Sequence, residues 1–179
     1  MSEEKVVLIV IAPEKFRDEE LSEPIKYLEK AGIRYDIIST KTGLAVGMLG
    51  GKMLVEKTVQ DISQQGMEKY TGILIVGGGG SPEHLWNNTS LQNLVKEFYS
   101  KGKIVSAICL SSVVLAKAGV LKGKLATVWN DDAAIELLRE GGATYKPEPI
   151  VTDGKVITAN GPLAAGGFGE KVARAILAL

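Results

Sequence analysis

The chain has 179 residues, 45% hydrophobic and 23% charged, which is typical of a globular protein with one domain and a sizeable core. Its 21 Lys and Arg residues balance 21 Asp and Glu residues, so nothing in its charge indicates nucleic acid or a membrane as a partner. A single cysteine excludes an internal disulfide, and one cysteine with one histidine cannot form a zinc site from soft ligands. We therefore expect no metal ion and no other cofactor.

The first half of the chain alternates aliphatic runs with amphipathic stretches. Its predicted elements, in order, are a strand buried on both faces at residues 6–11, a polar loop at 13–18, a helix with Leu21, Ile25 and Leu28 on one side and Gly32 at its end, a strand at 35–38, a hairpin or short antiparallel strands at 44–56, a short helix at 61–69 and a buried strand at 72–76.

The second half continues the same alternation. Its predicted elements are a helix capped by Ser90 and ended by Gly102, a strand at 104–107, a helix after Cys109, a short strand at 125–128, a helix at 133–139, a hairpin at 150–157 with an Asp153-Gly154 turn, and a helix at 170–178. This order predicts an α/β three-layer sandwich: a mostly parallel sheet with helices on both faces, in one domain over residues 1–179. There is no signal-like segment and no apolar run of 18 residues, so we expect a cytoplasmic protein with no membrane partner.

Three predicted loops follow the carboxyl ends of parallel strands, where ligands bind in open sheets of this kind. They are residues 12–20, the glycine run at 77–81 and the turn at Cys109. Cys109 stands where a strand ends and a helix begins, so free N–H groups and the helix dipole should point at its thiol. We expect a positive φ and a lowered thiol pKa there. A buried structural cysteine is the equally weighted alternative.

The neighbouring polar residues also allow two interpretations each. Gly77 and Gly78 lack the Lys-Ser/Thr ending of a phosphate loop, and form either an oxyanion hole or a plain tight turn. Glu20 is either a buried neutral acid beside the thiol or a solvated residue of a helix's first turn. His84, the only histidine, is expected on a short helix, partly exposed and not essential.

Five segments of the chain resemble the ThiJ/PfpI superfamily, whose fold is flavodoxin-like and shared with class I glutamine amidotransferases. They are FRDEEL at 16–21, ILIVGG at 73–78, AIC at 107–109, AGVLKGK at 118–124 and VTDGKVIT at 151–158. The resemblance implies that Cys109 is the nucleophile and Glu20 the acid that hydrogen-bonds it. It also implies that the N–H groups of Gly78 and Leu110 form the oxyanion hole. We expect Gly77, Trp129 and Ser111 near the pocket.

The chain departs from the superfamily's pattern at three places. Peptidase-like members carry His-Gly-Pro after the cysteine, where this chain has Leu110, Ser111 and Ser112. Other members keep a histidine on the following strand, near the place of Trp129. The Gly-Gly pair follows Val76 where proline is usual. Both usual histidines are therefore missing, which puts proteolysis and amide hydrolysis in doubt.

Three functions remain open at this point. The first is Cys/Glu-dependent enzyme chemistry on small reactive carbonyls, of the glyoxalase or deglycase kind. The second is a non-enzymatic redox-sensing or chaperone-like stress protein that uses oxidation of Cys109. The third is a peptidase or amidase. The expected partner is a small carbonyl compound or an oxidant, and the superfamily implies a homodimer or larger homo-oligomer.

Overall fold

The structure of the protein is a computed structural model that describes residues 3–179. Its strands are β1 (Val6–Val10), β2 (Glu14–Phe16), β3 (Arg34–Ile38), β4 (Gly43–Gly47), β5 (Lys52–Val55), β6 (Gly72–Ile75), β7 (Ile104–Ile108), β8 (Leu125–Ala126), β9 (Thr144–Tyr145), β10 (Ile150–Asp153) and β11 (Val156–Ala159). Its helices are α1 (Asp18–Lys30), α2 (Val59–Gln65), α3 (Ser81–His84), α4 (Thr89–Ser100), α5 (Ser112–Lys117), α6 (Asp132–Glu140) and α7 (Ala165–Leu177). Within the described range, no helix is both long enough and apolar enough to cross a bilayer.

Six strands form the central sheet in the order β10-β11-β7-β6-β1-β3. Every neighbouring pair is parallel except β10 and β11, which are joined by the predicted turn at residues 153–154. β1 lies between β6 and β3, with Val10 opposite both Ile75 and Ile38. Because strands inside a covered parallel sheet are buried on both faces, their sequences are continuous aliphatic runs.

Helices cover both faces of this sheet, and successive side chains of each strand point to opposite faces. Val7 and Ile9 of β1 face the core formed with α1 and α7. Leu8 and Val10 face the second core, formed with α2, α4, α5 and α6. The predicted three-layer α/β fold is confirmed.

Some helices begin at other residues than predicted. α4 begins at Thr89 because Asn88, and not Ser90, is its N-cap, with the Asn88 side chain accepting from Leu91 N–H over 2.9 Å. α2 begins at Val59 because Thr58 and Asp61 form a reciprocal capping box ahead of it. α7 begins at Ala165, earlier than predicted, although three glycines follow and weaken helix propensity. One of them has a packing role: a Cβ on Gly169 would stand 2.6 Å from the Cα of Pro24 in α1.

A small second sheet, with strand order β2-β4-β5, lies beside the site. The hairpin of β4 and β5 matches the prediction for residues 44–56, whereas β2 lies in the segment predicted as a loop. Two hydrogen bonds join β2 and the residue after it to the glycine run. Gly80 N–H donates to Lys15 O over 3.1 Å, and Arg17 N–H donates to Gly77 O over 3.0 Å. The small sheet therefore fixes the loop between β1 and α1 against the loop after β6.

Candidate active site

The chain reverses sharply at Cys109, directly after β7. Its φ is 61°, a left-handed value that side-chain-bearing residues seldom adopt and that agrees with the expected elbow. Two tryptophans hold this turn: Trp129 N–H donates to Cys109 O over 3.3 Å, and Trp86 Nε1–H donates to Leu110 O over 2.7 Å. The elbow is thus anchored from two sides, and the Cys109 residue is only 6% exposed.

Glu20 extends from the first turn of α1 to the buried side of the thiol. Its side chain is completely buried, and Oε1 accepts a 3.0 Å hydrogen bond from Gly77 N–H. Oε2 has no hydrogen-bond partner among residues 3–179, and the carboxyl as a whole contacts the Cys109 thiol. A Cβ on Gly77 would stand 2.7 Å from both Glu20 Oε1 and Cys109 Cβ, so glycine is what allows the pair to approach.

The Glu20 carboxyl is protonated at neutral pH. Burial raises its pKa from 4.5 to about 8, because a carboxylate loses its hydration there. The Cys109 contact, the Gly77 N–H and the Arg17 charge act in the opposite direction, but they do not cancel the cost of burial. Of the two interpretations of Glu20, the geometry therefore fits the buried neutral acid.

The thiol differs from the expectation of a lowered pKa. Burial raises the pKa of Cys109 to about 12, and repulsion from an ionised Glu20 is the second cause. The N–H groups of Leu110 and Gly78 act in the opposite direction, since they donate to the sulfur and favour the thiolate. The sequence indicated the donors at the elbow, but not how completely the sulfur would be enclosed.

Gly78 donates its N–H to the sulfur from a left-handed backbone conformation. Its φ is 110°, and a Cβ there would collide with Arg17 N and Lys15 O of the adjoining segment. Only glycine meets both demands, which is why the loop packs so closely on β2. The structure thus brings together four predicted residues: Cys109, Glu20, Gly78 and Leu110.

A cavity of about 170 Å³ opens above the thiol, and its wall includes Trp129 as expected. Its lining residues are Arg17, Met48, Gly78, Gly79, Cys109, Leu110, Trp129 and Pro162. Arg17, Met48 and Pro162 were not singled out from the sequence. Met48 is brought there by the β4–β5 hairpin and Pro162 by the segment after β11, contacts that no local pattern signals.

Two residues expected at the pocket lie behind it instead. Gly77 supplies the N–H that binds Glu20 and is not part of the cavity wall. Ser111 is fully buried; its hydroxyl donates to Val76 O over 2.6 Å and lies 2.8 Å from the Ser81 hydroxyl. Ser111 directly precedes α5, and its bond to Val76 O fastens the elbow to the end of β6.

His84 is engaged away from the thiol. Its Nε2 lies 3.0 Å from Glu14 Oε1 and 3.7 Å from Glu83 Oε2, and it does not line the thiol cavity. Across residues 3–179, these three side chains are the one group whose ligand atoms could converge on a metal ion. Glu14 and Glu83 are both more than half exposed, and the hydrogen bond between His84 and Glu14 accounts for the arrangement.

Comparison with known proteins places the chain in a family. The DJ-1/PfpI family model matches residues 5–175. The chain belongs to the DJ-1/PfpI family. A ThiJ/PfpI domain protein from Brachyspira murdochii has the same fold as this family member, with a TM-score of 0.92, 30% identity and 99% of each chain covered.

Two relatives of this DJ-1/PfpI protein differ in how closely they match it and in what their names say. An uncharacterized protein of Methanocaldococcus jannaschii is 56% identical over 170 residues, which are 95% of this chain and 82% of that one. A protein of Pyrococcus furiosus named Deglycase PfpI is 25% identical over 158 residues, covering 87% and 90%. The family membership implied by the five sequence segments is therefore confirmed.

Proposed function

We propose that this protein is an enzyme that uses Cys109 and Glu20 to convert small reactive carbonyls, as a glyoxalase or deglycase does. The observation that carries the proposal is the protonated, fully buried Glu20 beside the thiol of a strained elbow. Such a pair can add a thiol to an aldehyde without a metal ion or a histidine. The Pyrococcus relative named as a deglycase supports the same class of chemistry.

In the first step, the sulfur of Cys109 forms a bond to the aldehyde carbon of a 2-oxoaldehyde. The carbonyl π electrons move to oxygen, which takes the proton that Glu20 donates. Glu20 recovers a proton from the thiol, so the product is a neutral hemithioacetal. The N–H groups of Gly78 and Leu110 stabilise the negative charge that develops during this exchange.

Before the second step, Glu20 releases its proton to the solvent. As a carboxylate it removes the proton from the former aldehyde carbon, and the electron pair of that C–H bond forms the C=C bond of an enediolate with its charge on the adjacent oxygen. Glu20 then delivers the proton to the adjacent carbon while the hydroxyl proton passes to the charged oxygen, which gives a thioester of a 2-hydroxy acid. Water then cleaves the thioester, releasing the acid and the thiol. The net change is an internal redox isomerisation plus water, so no external oxidant is needed. A Glu20 pKa of about 8 leaves both of its forms accessible near neutral pH.

The test is turnover of methylglyoxal to lactate by the wild type and three variants. Cys109→Ser should abolish turnover, and Glu20→Gln should lower kcat by about 10²–10⁴-fold, since it removes the proton carrier. His84→Ala is the matched control and should retain activity, because His84 is paired with Glu14 outside the cavity. Turnover that persists in Cys109→Ser would contradict the proposal.

Redox sensing is the second candidate, and one observation favours it. The fully buried Glu20 carboxyl contacts the thiol, and in its protonated form it could donate to a sulfinate oxygen. The raised thiol pKa opposes it, since the thiolate is the form that peroxide oxidises. A gain of two oxygen atoms under mild peroxide, without methylglyoxal turnover, would place this candidate first. A peptidase ranks last, because the only histidine of the chain does not reach the thiol cavity.

A further inference from the structure

A larger cavity lies next to the thiol cavity. It has a volume of about 470 Å³ and shares three wall residues with the thiol cavity: Arg17, Trp129 and Pro162. A three-carbon aldehyde bound to Cys109 would occupy the inner cavity alone. The outer cavity therefore has room for a further part of a substrate whose carbonyl carbon is at the sulfur.

Arg17 presents a free hydrogen-bonding edge to this outer cavity. Its Nε donates to Glu19 Oε2 over 2.7 Å and its Nη2 donates to Glu19 Oε1 over 3.1 Å, so Glu19 occupies one side of the guanidinium. Among residues 3–179, none accepts a hydrogen bond from Nη1. The end formed by Nη1 and the second Nη2 hydrogen has the fork geometry that binds a carboxylate through two parallel bonds.

The remaining wall supplies a flat apolar face and further donors. The Trp129 ring packs on Gly161, where a Cβ would stand 2.7 Å from two ring atoms. Asn130 and Asn160 also line the cavity, and within the described structure their carboxamides have no side-chain hydrogen bond. A flat substrate body on Trp129, with a polar group toward Arg17, fits this wall.

The charges around Arg17 decide which polar group fits best. Glu19 carries the only other formal charge in the wall of the outer cavity, and both of its oxygens already accept from Arg17. The neighbouring Asp18 carboxylate accepts from the backbone N–H groups of Leu49 and Gly51 and does not line either cavity. Glu20 is neutral at the working pH. The free end of Arg17 is therefore the charged hydrogen-bond donor of the outer cavity that still lacks an acceptor.

We propose that the outer cavity is a subsite for an anionic substituent of the substrate, a carboxylate, and that Arg17 binds it. This deepens the proposed function and rests on it: the substrates are 2-oxoaldehydes that carry a carboxylate some bonds away from the reacting carbonyl. The binding of the carboxylate itself requires no chemistry at Cys109, so it can be measured separately.

The binding arm uses benzoate and benzamide, which match in shape and differ in charge, titrated calorimetrically into the wild-type protein. Benzoate should bind at least about tenfold more tightly than benzamide, since it takes both free hydrogens of the fork. Arg17→Met should remove that preference. Arg17→Gln is a second variant that keeps a polar side chain, and circular dichroism establishes that both fold.

Arg174→Met is the matched control, because Arg174 is also an arginine paired with a glutamate, and it lines neither cavity. It should keep the full preference for benzoate. Equal affinity for the two probes, or a preference for benzoate that persists in both Arg17 variants, would overturn the subsite.

The kinetic arm compares 4-carboxyphenylglyoxal with phenylglyoxal. For the wild type, kcat/KM should favour the carboxylated substrate by about tenfold or more, and the ratio should approach one in Arg17→Met. A wild-type ratio of one overturns the subsite while leaving the proposed function intact. If neither compound is converted although methylglyoxal is, the subsite is overturned and the proposed function stands. If methylglyoxal is not converted either, the proposed function fails, and the benzoate result still decides whether Arg17 binds carboxylates.

Discussion

The raised pKa of the Glu20 carboxyl makes the stability of the fold depend on pH. Its pKa is raised from 4.5 to about 8 by folding, so from pH 4.5 to 8 the folded chain holds a proton that the unfolded chain has lost. The unfolded state then binds fewer protons, and stability must fall as pH rises. The slope approaches about 1.4 kcal/mol per pH unit and ends near pH 8.

Glu20→Gln should remove this loss. We expect the free energy of unfolding of Glu20→Gln, relative to that of the wild type, to increase by roughly a few kcal/mol as the pH rises from 5 to 8. Urea unfolding at several pH values measures it. Glu23→Gln, on the same helix but half-exposed and paired with Lys26, should follow the wild-type curve. Parallel curves for wild type and Glu20→Gln would show that Glu20 is ionised in the fold.

A substitution at Gly77 tests how tightly the Cys109 thiol and the Glu20 carboxyl are packed. Gly77→Ala should destabilise the protein by about 1–3 kcal/mol, because its Cβ meets Ile108 O, Cys109 Cβ and Glu20 Oε1. Gly79→Ala, two residues along the same loop, meets only Met48 Cε at 3.8 Å and should change stability by less than about 0.5 kcal/mol. Thermal and urea unfolding measure both. An equal decrease in the free energy of unfolding of the two variants would show that the destabilisation comes from lost loop flexibility and not from the close approach at Gly77.

At the scale of elements, one carboxylate joins α1 to the β4–β5 hairpin. Asp18, the first residue of α1, accepts from Leu49 N–H over 2.7 Å and from Gly51 N–H over 2.8 Å. Asp18→Ala should raise amide hydrogen exchange in residues 48–51 while exchange in the central sheet stays unchanged. It should also raise KM, since Met48 of this turn lines the thiol cavity. Asp132→Ala, in the first turn of α6 on the far side of the sheet, should affect neither.

The elements also show how far sequence patterns reach. The central strands were predictable because burial on both faces requires continuous aliphatic runs, as in β1 and β6. The elbow was predictable because a strand meets a helix at Cys109. β2 was missed, since three residues that include exposed Glu14 and Lys15 carry no alternation. Arg17 was missed as a wall residue, because its place depends on how the small sheet packs on the glycine loop.

At the scale of the whole molecule, exposed apolar side chains concentrate on the β4–β5 hairpin. Leu44, Leu49 and Leu54 are each more than half exposed, and β5 is an edge strand. We propose that a second copy of the chain covers this surface, in keeping with the homo-oligomer that the superfamily implies. Sedimentation should give at least twice the 19.1 kDa chain mass. Leu54→Glu should lower that mass, whereas Leu177→Glu, at the end of α7, should not.

The buried proton of Glu20 also changes the electrical character of the molecule. Equal numbers of acidic and basic side chains give a formal net charge of zero and an isoelectric point near 6.6, and both figures count Glu20 as an anion. With that proton retained, the folded chain carries about one positive charge at pH 7, and its isoelectric point lies above the sequence value. Unfolding at pH 7 must release nearly one proton to the buffer. The calorimetric heat of unfolding will therefore differ between Tris and phosphate by the difference in their heats of protonation, and Glu20→Gln will abolish that difference.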